Sequence, residues 1–323
     1  MKFCQVFLLF LLINYSASFF CPLGGSDDSF NEVNLMLYTS PNYGLEVNLY
    51  ENSNNVARRF LDHGFDVNKP TKIFVHGFTS NGRKYCTQFI EAYASSTWDV
   101  NLICLDWSEY ADTNCPLYIR AAENAVKVGI EVGQKFISKL LIKTLKQNPG
   151  LIHVIGHSLG AHLSGHIGRN SGVKIGRITG LDPARPYFDK PKMRRKRLSK
   201  NDADFVDVIH TNSGELKRGC LSIPRKIGHV DFYPNGGHFM PSCKGIDKIP
   251  NPLFYFANKW LCIKDILVKG ACSHERANLY YVDSIRHRND PNYYFLIKEC
   301  AHYPRHCTNK GQLPMGERLQ REM

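Results

Sequence analysis

The stretch LIHVIGHSLGAHLSG, residues 151–165, decides how the rest of the chain is read. LIHVIG, 151–156, has the apolar density of a short buried strand, and AHLSGHIGR, 161–169, has a helical pattern. Between them, Gly156, Ser158 and Gly160 form a Gly-x-Ser-x-Gly turn. In a strand-turn-helix setting this turn holds its serine on a strained bend with the hydroxyl exposed, and the flanking glycines leave room for neighbouring backbone. The helix that follows directs its amide dipoles at the same point. Ser158 is therefore predicted to be a nucleophile. His157, His162 and His166 read as packing or surface residues; the last two, four apart, have no third ligand nearby to make a metal site.

On both sides of this stretch, apolar runs alternate with helical patterns. TKIFVHGF (71–78) and VNLICLDW (100–107) read as strands, and residues 122–145 carry apolar side chains at 126, 130, 137, 140, 141 and 145, close to a helix period. IGRITGLD (175–182) and DFVDVIHT (204–211) read as further strands. Such alternation predicts a mostly parallel sheet covered on both faces. Combined with the serine turn it predicts a single-domain α/β-hydrolase fold, whose working residues lie beyond the carboxyl ends of the strands.

A serine at that bend needs a base to take its proton and donors to hold the oxyanion. One donor is expected from the backbone N–H of Leu159. The other is expected from Phe78, in the HGF turn at 76–78 that closes the strand KIFV. In this fold the triad follows the chain order serine, acid, histidine. Asp182 ends the next strand and is expected to orient the histidine. Asp106 precedes the serine, and Asp204 and Asp207 sit within a strand, so they rank lower. Seven histidines follow Asp182, at 210, 229, 238, 274, 287, 302 and 306. The residues alone rank them weakly; His274 is favoured because Cys272 could staple the loop that carries it.

Met1-Lys2, an apolar run from Val6 to Ile13 and small residues at 16–18 have the layout of a secretory signal peptide over 1–18, leaving 19–323 as the exported domain. Of eleven cysteines, removing Cys4 leaves ten, an even number that suits a disulfide framework in an oxidising compartment. The net charge is +12, or +11 without Lys2, and seven of the eleven residues in KPKMRRKRLSK, 190–200, are basic. For an extracellular protein this run points to anionic lipid headgroups or sulfated glycans, not to nucleic acid.

GHSLG (156–160), HGF (76–78), GLDPA (180–184), DADFVDVIHT (202–211), GHVDFYPNGG (228–237) and CSHERA (272–277), in this order, resemble the animal neutral lipase family, which includes pancreatic-type lipases and arthropod venom-type phospholipases A1. The resemblance runs from about 21 to 316. It implies a Ser158–Asp182–His274 triad, an oxyanion hole at Phe78 and Leu159, and an acyl-pocket role for Tyr118. No cofactor is implied. Some members bind calcium in the segment matching 194–202, where Ser199 and Asp202 fit and Arg194 departs. The likeness of CPLGGSDD at 21–28 to the venom enzymes suggests a Cys21–Cys115 bridge. Cys86–Cys104, Cys243–Cys272, Cys300–Cys307 and Cys220–Cys262 are the other expected pairs.

Residues 244–271 occupy the position of the family's lid. Leu253, Phe256, Ala257, Trp260, Ile263 and Leu267 form one helical stripe opposite Asn258, Lys264 and Asp265, as in an amphipathic flap. Venom-type members have shortened lids and a shortened loop after IHT. Here both are long, with 17 residues between Thr211 and His229. That favours a secreted triacylglycerol lipase. The alternative is a phospholipase A1 of the same fold, which the lack of a long segment after His274 and the N-terminal likeness favour; a non-catalytic lipid carrier or yolk-type protein comes third.

Overall fold

The computed structural model describes residues 31–111, 118–243, 264–293, 295–302 and 305–319. The alternating pattern gives an eight-stranded sheet built from β1 (Asn34–Ser40), β2 (Tyr43–Asn48), β3 (Thr71–Val75), β4 (Asn101–Asp106), β5 (Ile152–His157), β6 (Arg177–Leu181), β7 (Phe205–Ile209) and β8 (Val230–Phe232). Their order is β2-β1-β4-β3-β5-β6-β7-β8. From β4 to β8 every neighbouring pair is parallel. β1 and β2 form an antiparallel edge that the sequence pattern did not signal. β9 (Phe295–His302) and β10 (Arg305–Leu313) pair separately as a ribbon in which Cys300 and Cys307 face each other in register.

The longer α-helices are α1 (Ser53–Asp62), α2 (Gly82–Ala94), α3 (Tyr118–Glu131), α4 (Leu159–Asn170) and α5 (Lys264–Arg286). Asn52 and Asn81 cap the first two by accepting from backbone N–H groups of their first turns. α3 begins four residues before the predicted start and runs on as a π-helical segment, Val132–Thr144. None of the described helices is long and apolar enough to cross a membrane.

Alternation along the central strands sends side chains to two helical layers. Phe74, Leu102, Cys104, Ile155 and Leu181 pack with Phe89 and Tyr93 of α2 and with Tyr281 and Ile285 of α5. The out-of-phase positions meet α4: a Cβ added at Gly156 would lie 2.4 Å from Ser164 Oγ, and one at Gly168 would lie 2.9 Å from Ile178 Cδ1. Each large side chain taken fully out of water contributes about 1.5–3 kcal/mol, so this double layer supplies most of the driving force.

Two expected disulfides are present, Cys86–Cys104 tying α2 to β4 and Cys243–Cys272 tying the end of a 3-10 turn to α5. Cys220 is buried, but Cys262 lies outside the described residues, as do Cys21 and Cys115, so those two pairings lie beyond this description.

The last described residues are held by ion pairs. The Arg177 guanidinium donates to both oxygens of Asp207, at 2.8 and 2.9 Å, and to the carbonyls of Gly316, Glu317 and Leu319. Glu317 pairs with Lys72 at 2.7 Å and accepts hydrogen bonds from Tyr93 and Tyr281. Burial opposes the charge on Glu317, but Lys72 and the tyrosine outweigh it and hold the carboxyl below its ordinary range.

Candidate active site

Ser158 stands between β5 and α4 with φ 57° and ψ −117°. Its N–H donates to Leu181 O and its carbonyl accepts from Ala161 and Ala184, so the bend is held on both sides. A positive φ at a non-glycine residue costs of order 1–3 kcal/mol and persists only where surroundings enforce it. Thr79 and Asp182, at φ 54° and 46°, share this feature, placing three such residues at the same end of the sheet. Both glycines of the motif are needed for approach. A Cβ at Gly156 would come within 2.2 Å of Gly160 O, and one at Gly160 within 2.3 Å of Val75 O.

Asp182 follows β6, and its side chain is fully buried. One carboxylate oxygen accepts from the N–H groups of Thr211 and Asn212, at 2.6 and 2.9 Å; the other lies 2.6 Å from His274 Nδ1. The imidazole therefore donates from Nδ1, which leaves Nε2 as the basic nitrogen. The Thr211 and Asn212 amides were not singled out from sequence. They follow β7, the parallel neighbour of β6, so an acid just past β6 meets them.

His274 was expected on a stapled loop. The staple is present, but His274 lies inside helix α5, and residues 264–271 of the expected flap form the first turns of the same helix. The remainder of the flap, 244–263, with Leu253, Phe256, Ala257, Trp260 and Ile263, lies outside the described residues. His157 Nε2 donates to the carbonyl of His274 at 3.2 Å, and the two rings lie 4.6 Å apart. Burial lowers the pKa of His157, against the opposing pull of the Glu275 carboxylate. Next to it, Glu275 accepts from the Tyr85 hydroxyl at 2.6 Å. Burial works against the Glu275 charge, but His157, Tyr85 and His274 outweigh it and hold the carboxyl below its usual range. Among the described residues the Ser158 hydroxyl makes no direct hydrogen bond to His274.

Phe78 and Tyr118 come together at the rim, their rings edge-to-face with centroids 5.4 Å apart. Tyr118 is buried and donates to Pro186 O at 3.1 Å. Leu159 N–H is the first of α4 and has no partner within the helix. Phe78 N–H likewise finds no acceptor among the described residues. Gly77 is the point of closest approach: a Cβ there would lie 2.9 Å from Ser158 Cβ and 3.1 Å from His157 O. His76 fixes this turn, its Nε2 3.2 Å from Asp106 Oδ1 and 3.1 Å from Trp107 N. Although burial pushes the Asp106 carboxyl up, His76 and the Ser108 amide outweigh it and hold it at about 2. Two of the three rival acids are thus committed elsewhere, Asp106 to His76 and Asp207 to Arg177.

The segment where calcium was weighed is closed by a cation of the chain itself. Arg169 donates to both oxygens of Asp202, at 2.7 and 2.8 Å, to Arg195 O at 2.6 Å and to Arg197 O. Ser199 donates to the same carboxylate from its N–H and its hydroxyl. The oxygens that a hard cation needs are already turned to a guanidinium, so these residues do not fit a resident calcium. His162 and His166 are both buried, their Nε2 atoms bonded to Ala184 O and Lys196 O.

A family profile described as Lipase matches residues 23–318. The chain belongs to the lipase family. Pancreatic triacylglycerol lipase of Oryctolagus cuniculus is 35% identical over 277 residues, covering 85% of this chain and 55% of that protein. Pancreatic lipase-related protein 2 of Bos taurus is 36% identical over 275 residues, covering 84% and 54%. This lipase-family chain thus spans about half the length of the curated relatives it matches. Among solved structures, the crystal structure of esterase PE8 overlaps 44% of this chain and 68% of its own with a TM-score of 0.34 and 17% identity, an overlap too slight to add to the family assignment.

Proposed function

We propose that this chain is a secreted serine hydrolase that releases fatty acids from lipid esters at an interface, with triacylglycerol as its preferred substrate. The observation that carries the reading is the 2.6 Å bond from His274 to Asp182 beside Ser158 on its strained bend. Asp182, fixed by two backbone amides, holds the imidazole in the tautomer whose Nε2 can accept a proton. Ser158 attacks the ester carbonyl while His274 takes its proton and passes it to the leaving alcohol; water then releases the acyl group by the reverse sequence. The N–H groups of Phe78 and Leu159 receive the oxyanion, and each such donor is worth about 10²–10³ in rate. The Ser158–His274 contact is one that tightens as substrate binds, as catalytic hydrogen bonds are often long in the free enzyme. Tyr118 and Phe78 form the apolar wall beside the acyl chain.

Triacylglycerol is supported by the relatives' names and by the long segment between Thr211 and His229. Secretion is supported by the leader-like first 18 residues and by two disulfides in the folded chain. Purified protein is incubated with emulsified triolein and with phosphatidylcholine vesicles beside a Ser158→Ala control. Fatty acid from triolein, lost in the variant, is the expected result. Release mainly from phosphatidylcholine assigns phospholipase A1 instead, and release from neither overturns the enzyme reading in favour of a lipid carrier.

A further inference from the structure

Glu275, the residue after His274, brings a charge into the interface of α2 and α5 without a cationic partner. Its carboxylate accepts from the Tyr85 hydroxyl of α2 at 2.6 Å and from Asn278 Nδ2 of α5 at 3.1 Å. Among the described residues no lysine or arginine pairs with it, its helix neighbour Arg276 included. Burial works against this charge, but the His157 ring, the Tyr85 hydroxyl and His274 outweigh it, so the group stays ionised. A glutamine would accept from Tyr85 equally well and would carry no charge to desolvate, so bracing two helices does not account for a carboxylate here. The groups able to carry positive charge beside it are imidazoles. The Tyr85 and His157 rings lie 6.2 Å apart, and the His157 and His274 rings 4.6 Å. The titratable groups gathered around the His274 ring are therefore Asp182 past β6, His157 at the end of β5, Tyr85 on α2 and Glu275 on α5.

We propose that Glu275 is a positioning residue for the hydrolysis, a second carboxylate whose charge favours the positive His274 ring that forms when Ser158 gives up its proton. The inference rests on the hydrolase reading above, in which that proton moves from Ser158 Oγ to His274 Nε2. Asp182 meets the new charge at Nδ1, 2.6 Å away. Glu275 acts on it from the helix side, through surroundings from which water is largely excluded and in which a charge is felt farther than in bulk. His157, bonded to the His274 carbonyl, holds the ring in register with that carboxylate. The same attraction favours a protonated ring in the free protein, where it opposes catalysis. Removing the charge therefore extends activity to lower pH while lowering the rate at its plateau, a pair of effects that a purely mechanical brace does not produce.

Hydrolysis of p-nitrophenyl butyrate, a short ester that needs no interface, is followed from about pH 5.5 to 9 for the full chain and its variants, with thermal unfolding as the check on folding. For Glu275→Gln the expected result is an acid limb of kcat/KM moved about 0.5–1 pH unit lower and a plateau about 3–10-fold lower, with KM little changed. Asn278 is buried and its Oδ1 has no partner among the described residues, so its amide can turn to accept from the new glutamine and both hydrogen bonds survive the change. Glu275→Gln/Asn278→Asp returns a carboxylate to the same cluster and recovers at least half of the shift. Asn278→Asp alone adds a charge and moves the limb upward, which decides the matter if the glutamine variant does not fold. An acid limb that stays in place, whatever happens to stability or turnover, makes Glu275 a brace between α2 and α5 and overturns the proposal. A full chain that turns over no more ester than Ser158→Ala overturns the hydrolase reading and this inference with it; an active chain with an unmoved limb overturns the inference alone.

Discussion

His157, the residue before Ser158, donates a hydrogen bond to the backbone carbonyl of His274 across 3.2 Å, linking the serine bend to the helix that carries His274. The His157 imidazole is packed against the His274 ring and Gly77, so it fixes the His274 backbone as Asp182 fixes its ring. His157→Leu removes this donor without adding charge. The expected effect is a fall in kcat of about 10–100-fold with little change in KM, the pattern for a misplaced catalytic group. His157→Gln, which can still present an N–H near the same point, recovers most of it; equal activity in the leucine variant sinks the assignment.

Gly77→Ala is expected to cost activity more than stability. The added methyl would stand 2.9 Å from Ser158 Cβ, displacing that side chain from the Phe78 amide. Gly160→Ala would place it 2.3 Å from the backbone of β3, where nothing flexible can yield, so expression and unfolding midpoint should fall as well. Comparing ester turnover with thermal unfolding for the two variants separates these outcomes.

Arg169→Met leaves the Asp202 carboxylate, 1% exposed, without its partner. Removing one member of such a pair costs about 3–5 kcal/mol, discounted here because the arginine is a quarter exposed. A drop of about 2–4 kcal/mol in urea unfolding is expected. The unaltered chain should melt at the same temperature with calcium or with a chelator. A clear calcium-dependent rise would contradict the Arg169 closure.

Acid should destabilise the fold before it titrates most carboxylates. Burial lowers His162 to about 3 and His166 to about 4. His162 Nδ1 accepts from Leu198 N–H, so a proton there would break that bond. The unfolded chain takes up these protons near pH 6.5 and the folded chain does not. Their contribution is therefore full above that pH and is lost as pH falls toward 4, by about 2–4 kcal/mol for His162. Urea midpoints measured between pH 7 and 4 should decline, and His162→Gln should flatten the decline.

The strand-turn-helix at 151–165, the parallel strands and Asp182 could be read directly because each depends on local pattern: apolar runs, glycines where backbones touch, and an acid at a strand end. His274 could not be ranked from residue chemistry alone, since its pairing joins positions 92 apart in sequence. Its helical setting was missed because CSHERA carries no turn-or-helix signal strong enough to oppose a disulfide-loop reading. The β1–β2 edge was missed for a related reason: NLMLYTS and YGLEVN are short and mixed in polarity, and only β4 gives them a template. Arg169 reads as one more basic residue at a helix end until the fold lays the carbonyls of 195 and 197 beside it.

The clasp of Arg177, Lys72 and Glu317 sets where this protein can be trimmed or fused. A truncation at 315 would strip the partly buried Lys72 of its counterion and three acceptors from a guanidinium in the sheet layer, whereas a tag or second module joined after Leu319 leaves every one of those bonds in place. For anyone producing this chain, a boundary placed before residue 319 cuts into that clasp.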